Sequence, residues 1–337
     1  MLALLIAVTG LVSITSMAAA ADKKIEISLG HAVEPSENYA HLTCVKFKEY
    51  VENYTDGAVT VNIYPAGQLG GEQDLIRSIQ MGTVQAALVA INNFNVYSPS
   101  IGYYSLPFMF ADVNEFRNIT DAMWNLNNMW ATKESACRLL SIAEINFRQL
   151  TNSKREVKTL ADLKGLRIRV PKNKIMINAF KGFGVEPVSM AWAEVFTAMQ
   201  VGVLDGQENS YNIIRSQKFS EVQKYITEIG YIAHSACMVI GEKFFQGLSA
   251  DQQQAIVQAG KDAMMWERGF SDKMLDADKE YLKSKGMVLT GPPEDLDEWV
   301  KGAKKSWVDA YEIIGGGDKA RGKAVVDMVS QLKTVLP

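Results

Sequence analysis

An α/β fold divided between two domains is what this sequence predicts, on three observations. Short apolar strands alternate with amphipathic helices along the chain, the order that builds sheets layered with helices. The run AALVAI at 86–91 is apolar at every position, as a strand covered on both faces requires. The length, 337 residues, exceeds what one small core organises and suits two domains.

Composition narrows the class further. With 47% apolar and 22% charged residues, wholesale disorder is excluded. A net charge of −3, with both signs mixed along the chain, offers no electrostatic case for nucleic acid or an anionic membrane as partner.

Taken in order, residues 1–21 carry no charge and pass from an apolar core to the small residues MAAAA. That is the pattern of a signal peptide, although its basic leading region is missing. An uncleaved anchor is the alternative, because the run is barely long enough to span a bilayer. Ile25, Ile27 and Leu29 alternate as a first strand, leading into a loop that begins at His31. Ala40, Cys44, Phe47, Val51 and Tyr54 then share one face of a helix. After a strand over 59–64, the glycines of PAGQLGG make a flexible loop, and Glu72 opens a helix that stops at Gly82. The apolar strand runs into Asn92-Asn93, a loop at a strand's C-terminal end, where α/β proteins place ligands. Helices follow to about Glu134, and a strand covers 137–145.

Leu166, Ile168 and Val170 alternate with Arg167 and Arg169, so a strand here carries two guanidinium groups on one face, and Pro171 ends it. On pattern alone, a solvated edge is the commoner use of such arginines. The functional use is a two-pronged hydrogen bond from a strand end to an anion. Trp192, Phe196, Met199 and Val203 recur at helical spacing. Asp205-Gly206 reads as a tight turn presenting Gln207, Glu208 and Asn209. A polar helix is expected through Phe219, Val222 and Tyr225, with strands near Ile229 and over 237–241. Ser249 and Gln252 form a capping box for a long helix reaching about Lys283. A short strand at 287–289, a helix through Trp299 and Trp307, and a final helix beyond the glycines at 315–317 complete the chain.

Catalytic signatures are missing. The chain contains no HExxH, G-x-S-x-G, P-loop or G-x-G-x-x-G run, so no catalytic residue, metal or cofactor is expected. Cys44, Cys137 and Cys237 lie far apart; buried free thiols are the expectation, with a Cys137–Cys237 disulfide conceivable in an exported protein. Of His31, His41 and His234, only His31 is placed near a ligand.

The run from LKGLRIRVP at 163–171 through AMQVGVLDGQEN at 198–209 and QKFSEVQKYI at 217–226 resembles the signature region of DctP-type solute-binding proteins. These serve TRAP (tripartite ATP-independent periplasmic) transporters. The likeness extends from the first strand to the helix after Leu248. It implies two lobes around a ligand cleft with a long hinge-spanning helix. Lobe one would be 22–146 plus 235–274, and lobe two 147–234 plus 275–337. It also implies that Arg169 forms the main salt bridge to a ligand carboxylate, with Arg148 and Asn209 in support. Trp192 would wall the ligand, and His31, Glu72, Asn92 and Asn93 would line the cleft.

The function implied is non-enzymatic. A periplasmic monomer captures a small organic acid and delivers it to TRAP membrane permease subunits. A sugar acid or hydroxy acid is the expected ligand, with a C4-dicarboxylate or an aromatic acid as alternatives in the same family, and a secreted hydrolase as the alternative from another class.

Overall fold

The computed structural model describes residues 24–336, and the expected signal segment 1–21 lies outside the described residues. The first stretch runs β1 (Ile25–Gly30), α1 (Tyr39–Tyr54), β2 (Val59–Tyr64), α2 (Glu72–Met81), β3 (Ala86–Ala90), α3 (Ile91–Phe94), α4 (Val113–Ala122), α5 (Trp124–Ser135) and β4 (Cys137–Phe147). The middle contributes β5 (Gln149–Asn152), β6 (Ile168–Val170), α6 (Lys174–Gly182), β7 (Val188–Ser189), α7 (Val195–Gln200), β8 (Gly206–Asn209), α8 (Tyr211–Ser216) and β9 (Tyr225–Thr227). The chain ends with β10 (Ala233–Gly241), α9 (Glu242–Gln246), α10 (Ala250–Ser284), β11 (Val288–Leu289), α11 (Leu296–Lys305), α12 (Trp307–Ile314) and α13 (Lys319–Val335).

These strands form two sheets, ordered β2-β1-β3-β10-β4 and β11-β9-β5-β8-β6-β7. In the first, β1 runs parallel to β2 and β3, while β10 lies antiparallel between β3 and β4. Leu75, Val89 and Phe116 pack on one face of this sheet and Phe47, Leu88 and Ile256 on the other. That is why its central strands are apolar throughout. The second sheet is likewise covered twice, by a core around Phe180 and Trp299 and another around Met199 and Phe219.

Two strand crossings join the lobes. β4 passes into β5 through Arg148, and β9 leads into β10; the Arg148 N–H donates to the Ile232 carbonyl at 2.9 Å where the two runs meet. The 35-residue α10 is about 52 Å long at 1.5 Å per residue. Its start carries the expected Ser249–Gln252 capping box. Ile256, Ala259 and Ala263 bury against lobe one, while Leu282 joins a core of lobe two.

Several local expectations are corrected. Gly206 opens no turn: it starts β8, which lies between β5 and β6. A Cβ at Gly206 would sit 2.0 Å from the Thr151 carbonyl oxygen, so this glycine marks a close strand approach. Asn92 and Asn93 sit in the short helix α3 rather than a loop. The helix expected through Tyr225 stops at Ser216, because Lys218 takes a left-handed φ of 54°, and Tyr225 enters β9. The helix through Trp299 and Trp307 breaks at Ser306 into α11 and α12. Val203, placed on an apolar helix face, is 50% exposed beyond the end of α7.

The C-terminal segment divides between the lobes. Trp299 and Ala303 of α11 pack in lobe two, but Ala310, Ile314, Val325 and Val329 of α12 and α13 pack in the lobe-one core with Leu75 and Val89. Residues beyond about 306 therefore return to lobe one, where 275–337 had been assigned to lobe two. All three cysteines are buried free thiols. Cys237 lies mid-strand opposite Ile142, while Cys137 pairs with Gly241, so the ladder register keeps the two apart.

Candidate ligand-binding cleft

The cleft is built where β3, β6, β8 and β10 bring their ends together between the lobes. Arg169 sits inside β6, flanked by Val188 of β7 and Gln207 of β8, and is 3% exposed. Its Nε and Nη2 donate to the Met190 carbonyl at 3.0 and 2.8 Å. The guanidinium also lies 5.7 Å from the Trp192 ring centre. Among the described residues no carboxylate forms an ion pair with it. Burial pushes its pKa down to about 10; the Arg148 charge pushes the same way, while those of Glu208 and Glu72 resist. A desolvated cation without a partner is costly, and an anion entering the cleft removes that cost.

Arg167, two residues earlier, behaves otherwise. It is half-exposed, donates from Nε and Nη2 to the Asp205 carboxylate at 3.0 and 2.8 Å, and reaches the Gly202 carbonyl at 2.7 Å. Those hydrogen bonds hold the Asp205 carboxyl down at about 2. Of two arginines that look alike in sequence, one braces the strand and the other is left for a ligand.

Arg148 is buried at the lobe crossing and already has its countercharge. Its Nε donates to Glu208 Oε2, and its Nη2 donates to Glu208 Oε1 at 2.9 Å and to the Glu208 carbonyl at 2.8 Å. Burial lowers its pKa, but Glu208 outweighs this and holds it above its ordinary value. The Tyr231 hydroxyl donates to Glu208 Oε2 at 2.7 Å and completes the pair. Glu208 had been read only as a turn residue.

Asn209 ends β8 and donates from Nδ2 to Gln207 Oε1 at 3.2 Å. Gln207 in turn donates to Thr151, and Thr151 to Gln223. This chain of amides fixes the Asn209 side chain, whose Oδ1 is buried with no hydrogen-bond partner. Glu72 reaches the cleft from the first turn of α2. It accepts from the Ala90 N–H at 2.9 Å and from Asn93 Nδ2. Burial raises its pKa, opposed by those two donors and by the charges of Arg169 and Arg148. The Asn92 carbonyl accepts from Asn173 Nδ2 at 2.6 Å, and the same Nδ2 reaches Asn95 Oδ1 at 2.8 Å, a contact from lobe two to lobe one.

Together Glu72, Asn92, Asn93, Arg148, Arg169, Trp192 and Asn209 line one inner space. His31 is not on its wall. That histidine is 1% exposed and packs on His41, with Nε2 and Nδ1 3.1 Å apart, and burial lowers its pKa to about 4. His234 takes the place expected for His31: it lines the space, with Nδ1 2.8 Å from Ser210 Oγ. Its ring meets Tyr39 edge-on at 5.8 Å. Burial and the Arg148 charge push the His234 pKa well below 6.5, so it stays neutral. Tyr39 and His234 were both missed in sequence. The signal available was the step from β9 into β10, which carries His234 back across the cleft.

Trp192 begins a short 3-10 turn ahead of α7 and packs against cores of both lobes. Beyond it the cleft widens into a mouth that shares Glu72, Asn93, Arg169 and Trp192 with the inner space. Among the described residues no group of three or more His, Cys, Asp or Glu could hold a metal ion.

Residues 29–313 match the family model described as bacterial extracellular solute-binding protein, family 7. This chain belongs to that family. A TRAP periplasmic solute-binding protein from Rhodobacter sphaeroides, in an open ligand-free crystal form, shares 36% identity over 91% of this chain and 99% of that one, with a TM-score of 0.77. One from Roseobacter denitrificans with bound L-galactonate shares 29% over 92% and 99%, with a TM-score of 0.83. The 2,3-diketo-L-gulonate-binding periplasmic protein of Escherichia coli is 32% identical over 71% of this chain and 74% of its own length. Among the described residues no helix is long and apolar enough to cross a membrane.

Proposed function

We propose that this chain is the exported, periplasmic solute-binding subunit of a TRAP transporter. It captures a small organic acid as a monomer, without turning it over, and delivers it to the membrane permease. The ligand is a sugar acid or a hydroxy acid, in keeping with the L-galactonate and diketogulonate of two relatives. One observation carries the reading: Arg169 is buried in the cleft, and among the described residues no carboxylate pairs with its charge.

The energetics fit. A charge-assisted hydrogen bond contributes roughly 1.5–3 kcal/mol, and micromolar affinity needs about 8 kcal/mol. A two-pronged contact from Arg169, with Arg148 and Asn209 beside it, supplies much of that. Thermal-shift screening against an organic-acid library identifies the ligand, because a cleft binder gains stability with ligand concentration. Arg169→Ala is expected to melt as a folded protein and lose the ligand-induced shift. Unchanged affinity in that variant defeats the assignment. Product appearing during the screen would favour a hydrolase, and mass spectrometry of the exported protein distinguishes a cleaved signal from a retained anchor.

A further inference from the structure

The polar atoms left open on the cavity wall divide unevenly. Arg148 brings a charge that Glu208 already balances, so Arg169 is the one wall cation without an ionic partner among the described residues. Against it stand two acceptors: the Glu72 carboxylate on lobe one, and Asn209 Oδ1, buried and unpartnered. Tyr39, His234 and Asn92 add a neutral phenol, a neutral imidazole and a neutral amide, each able to donate or accept. Each Glu72 oxygen holds one protein donor, and a carboxylate has capacity for about four.

We propose that this cavity selects monocarboxylates bearing hydroxyl groups and rejects dicarboxylates, with Glu72 setting the discrimination. This rests on Arg169 holding the ligand's single carboxylate. Hydroxyl hydrogens along the rest of the ligand then find Glu72 and Asn209 Oδ1 as acceptors. A second carboxylate in the same place has no hydrogen to give. It meets Glu72 as a like charge in a desolvated space, leaves Asn209 Oδ1 orphaned, and finds no second unpaired cation among the described residues lining the inner space, since Lys172 lines only the outer mouth. Dicarboxylates are thus excluded by repulsion as well as by missing contacts.

Calorimetric titration of the wild-type protein and of Glu72→Gln with galactonate, erythronate and succinate tests this. Glutamine keeps the side chain's shape and one oxygen for the Ala90 N–H. Wild type is expected to bind the better hydroxylated acid about a hundredfold or more tighter than succinate, and Glu72→Gln to narrow that ratio by about tenfold or more. Glu72→Asp, which keeps the charge, is expected still to exclude succinate, and thermal melts report whether each variant folds. Succinate binding wild type as tightly as the hydroxylated acids overturns the proposal, as does a folded Glu72→Gln with the ratio unmoved. If succinate binds wild type well and Arg169→Ala binds none of the acids, the discrimination fails and the carboxylate clamp stands. If wild type binds none of the three, the selectivity falls, and the carboxylate clamp is judged by Arg169→Ala with the acid the library screen finds.

Discussion

At the scale of single residues, two buried arginines lining the same cavity are in opposite electrostatic states. Arg148 is held by Glu208, which Tyr231 braces; among the described residues Arg169 has only the Met190 carbonyl and the Trp192 ring. Removing a partner from a buried pair costs about 3–5 kcal/mol, whereas replacing a buried charge that has no ionic partner by an apolar group of similar volume removes a desolvation cost and strands no countercharge. Glu208→Gln should therefore lower the unfolding free energy of the ligand-free protein by that order, and its denaturant midpoint with it. Arg169→Met should leave the midpoint unchanged or raise it while abolishing binding. Urea unfolding of both variants without ligand checks the contrast, and a marked loss of stability in Arg169→Met would contradict it.

Among the elements, α10 is the one on which both lobes lean, and its two interior glycines sit in different surroundings. A Cβ at Gly260 would lie 2.7 Å from the Leu140 carbonyl oxygen and 2.9 Å from Leu140 Cβ, but one at Gly269 meets nothing within 4 Å. Helix propensity alone favours alanine over glycine by about 1 kcal/mol at either position. At Gly260 the helix must move off β4, and overpacking of that kind costs about 1–3 kcal/mol. Gly269→Ala should raise the melting temperature and Gly260→Ala lower it; shifts of the same sign would refute the close-packing account. How much of these elements was legible depends on where their contacts lie. The capping box at Ser249 and the alternation around Ile168 are local and were readable. The left-handed break at Lys218 and the strand at Gly206 were not: Gly206 is demanded by Thr151, 55 residues earlier in the chain, and no local pattern carries that.

For the molecule as a whole, acid should loosen the lobes' packing. His31 is held at about 4 by burial and by His41, against an ordinary 6.5. As pH falls below 6.5 the unfolded chain takes up a proton that the folded one refuses, so stability is lost between pH 6.5 and 4 and levels off below. The ceiling of this loss is about 3 kcal/mol. His234, also depressed by burial, adds to the loss in the same direction. Carboxyl groups whose pKa burial raises, Glu267 and Glu144 among them, work the other way, so the test is a difference: from pH 7 to pH 4 the wild type should lose more unfolding free energy than His31→Leu, and an equal slope in that variant would remove His31 as a cause.

Taken alone, the sequence determined the α/β class, most strand and helix positions, the family, and the strand that carries Arg169, because hydrophobic period, caps and a contiguous motif are short-range properties. Tertiary structure decided that Arg167 is spent on Asp205 while Arg169 is free, that Glu208 neutralises Arg148 from 60 residues away, that His234 rather than His31 faces the cleft, and that the last helices return to lobe one. Each of these is a matter of charge balance or burial between distant segments, and such balances exist only once the chain has brought them together.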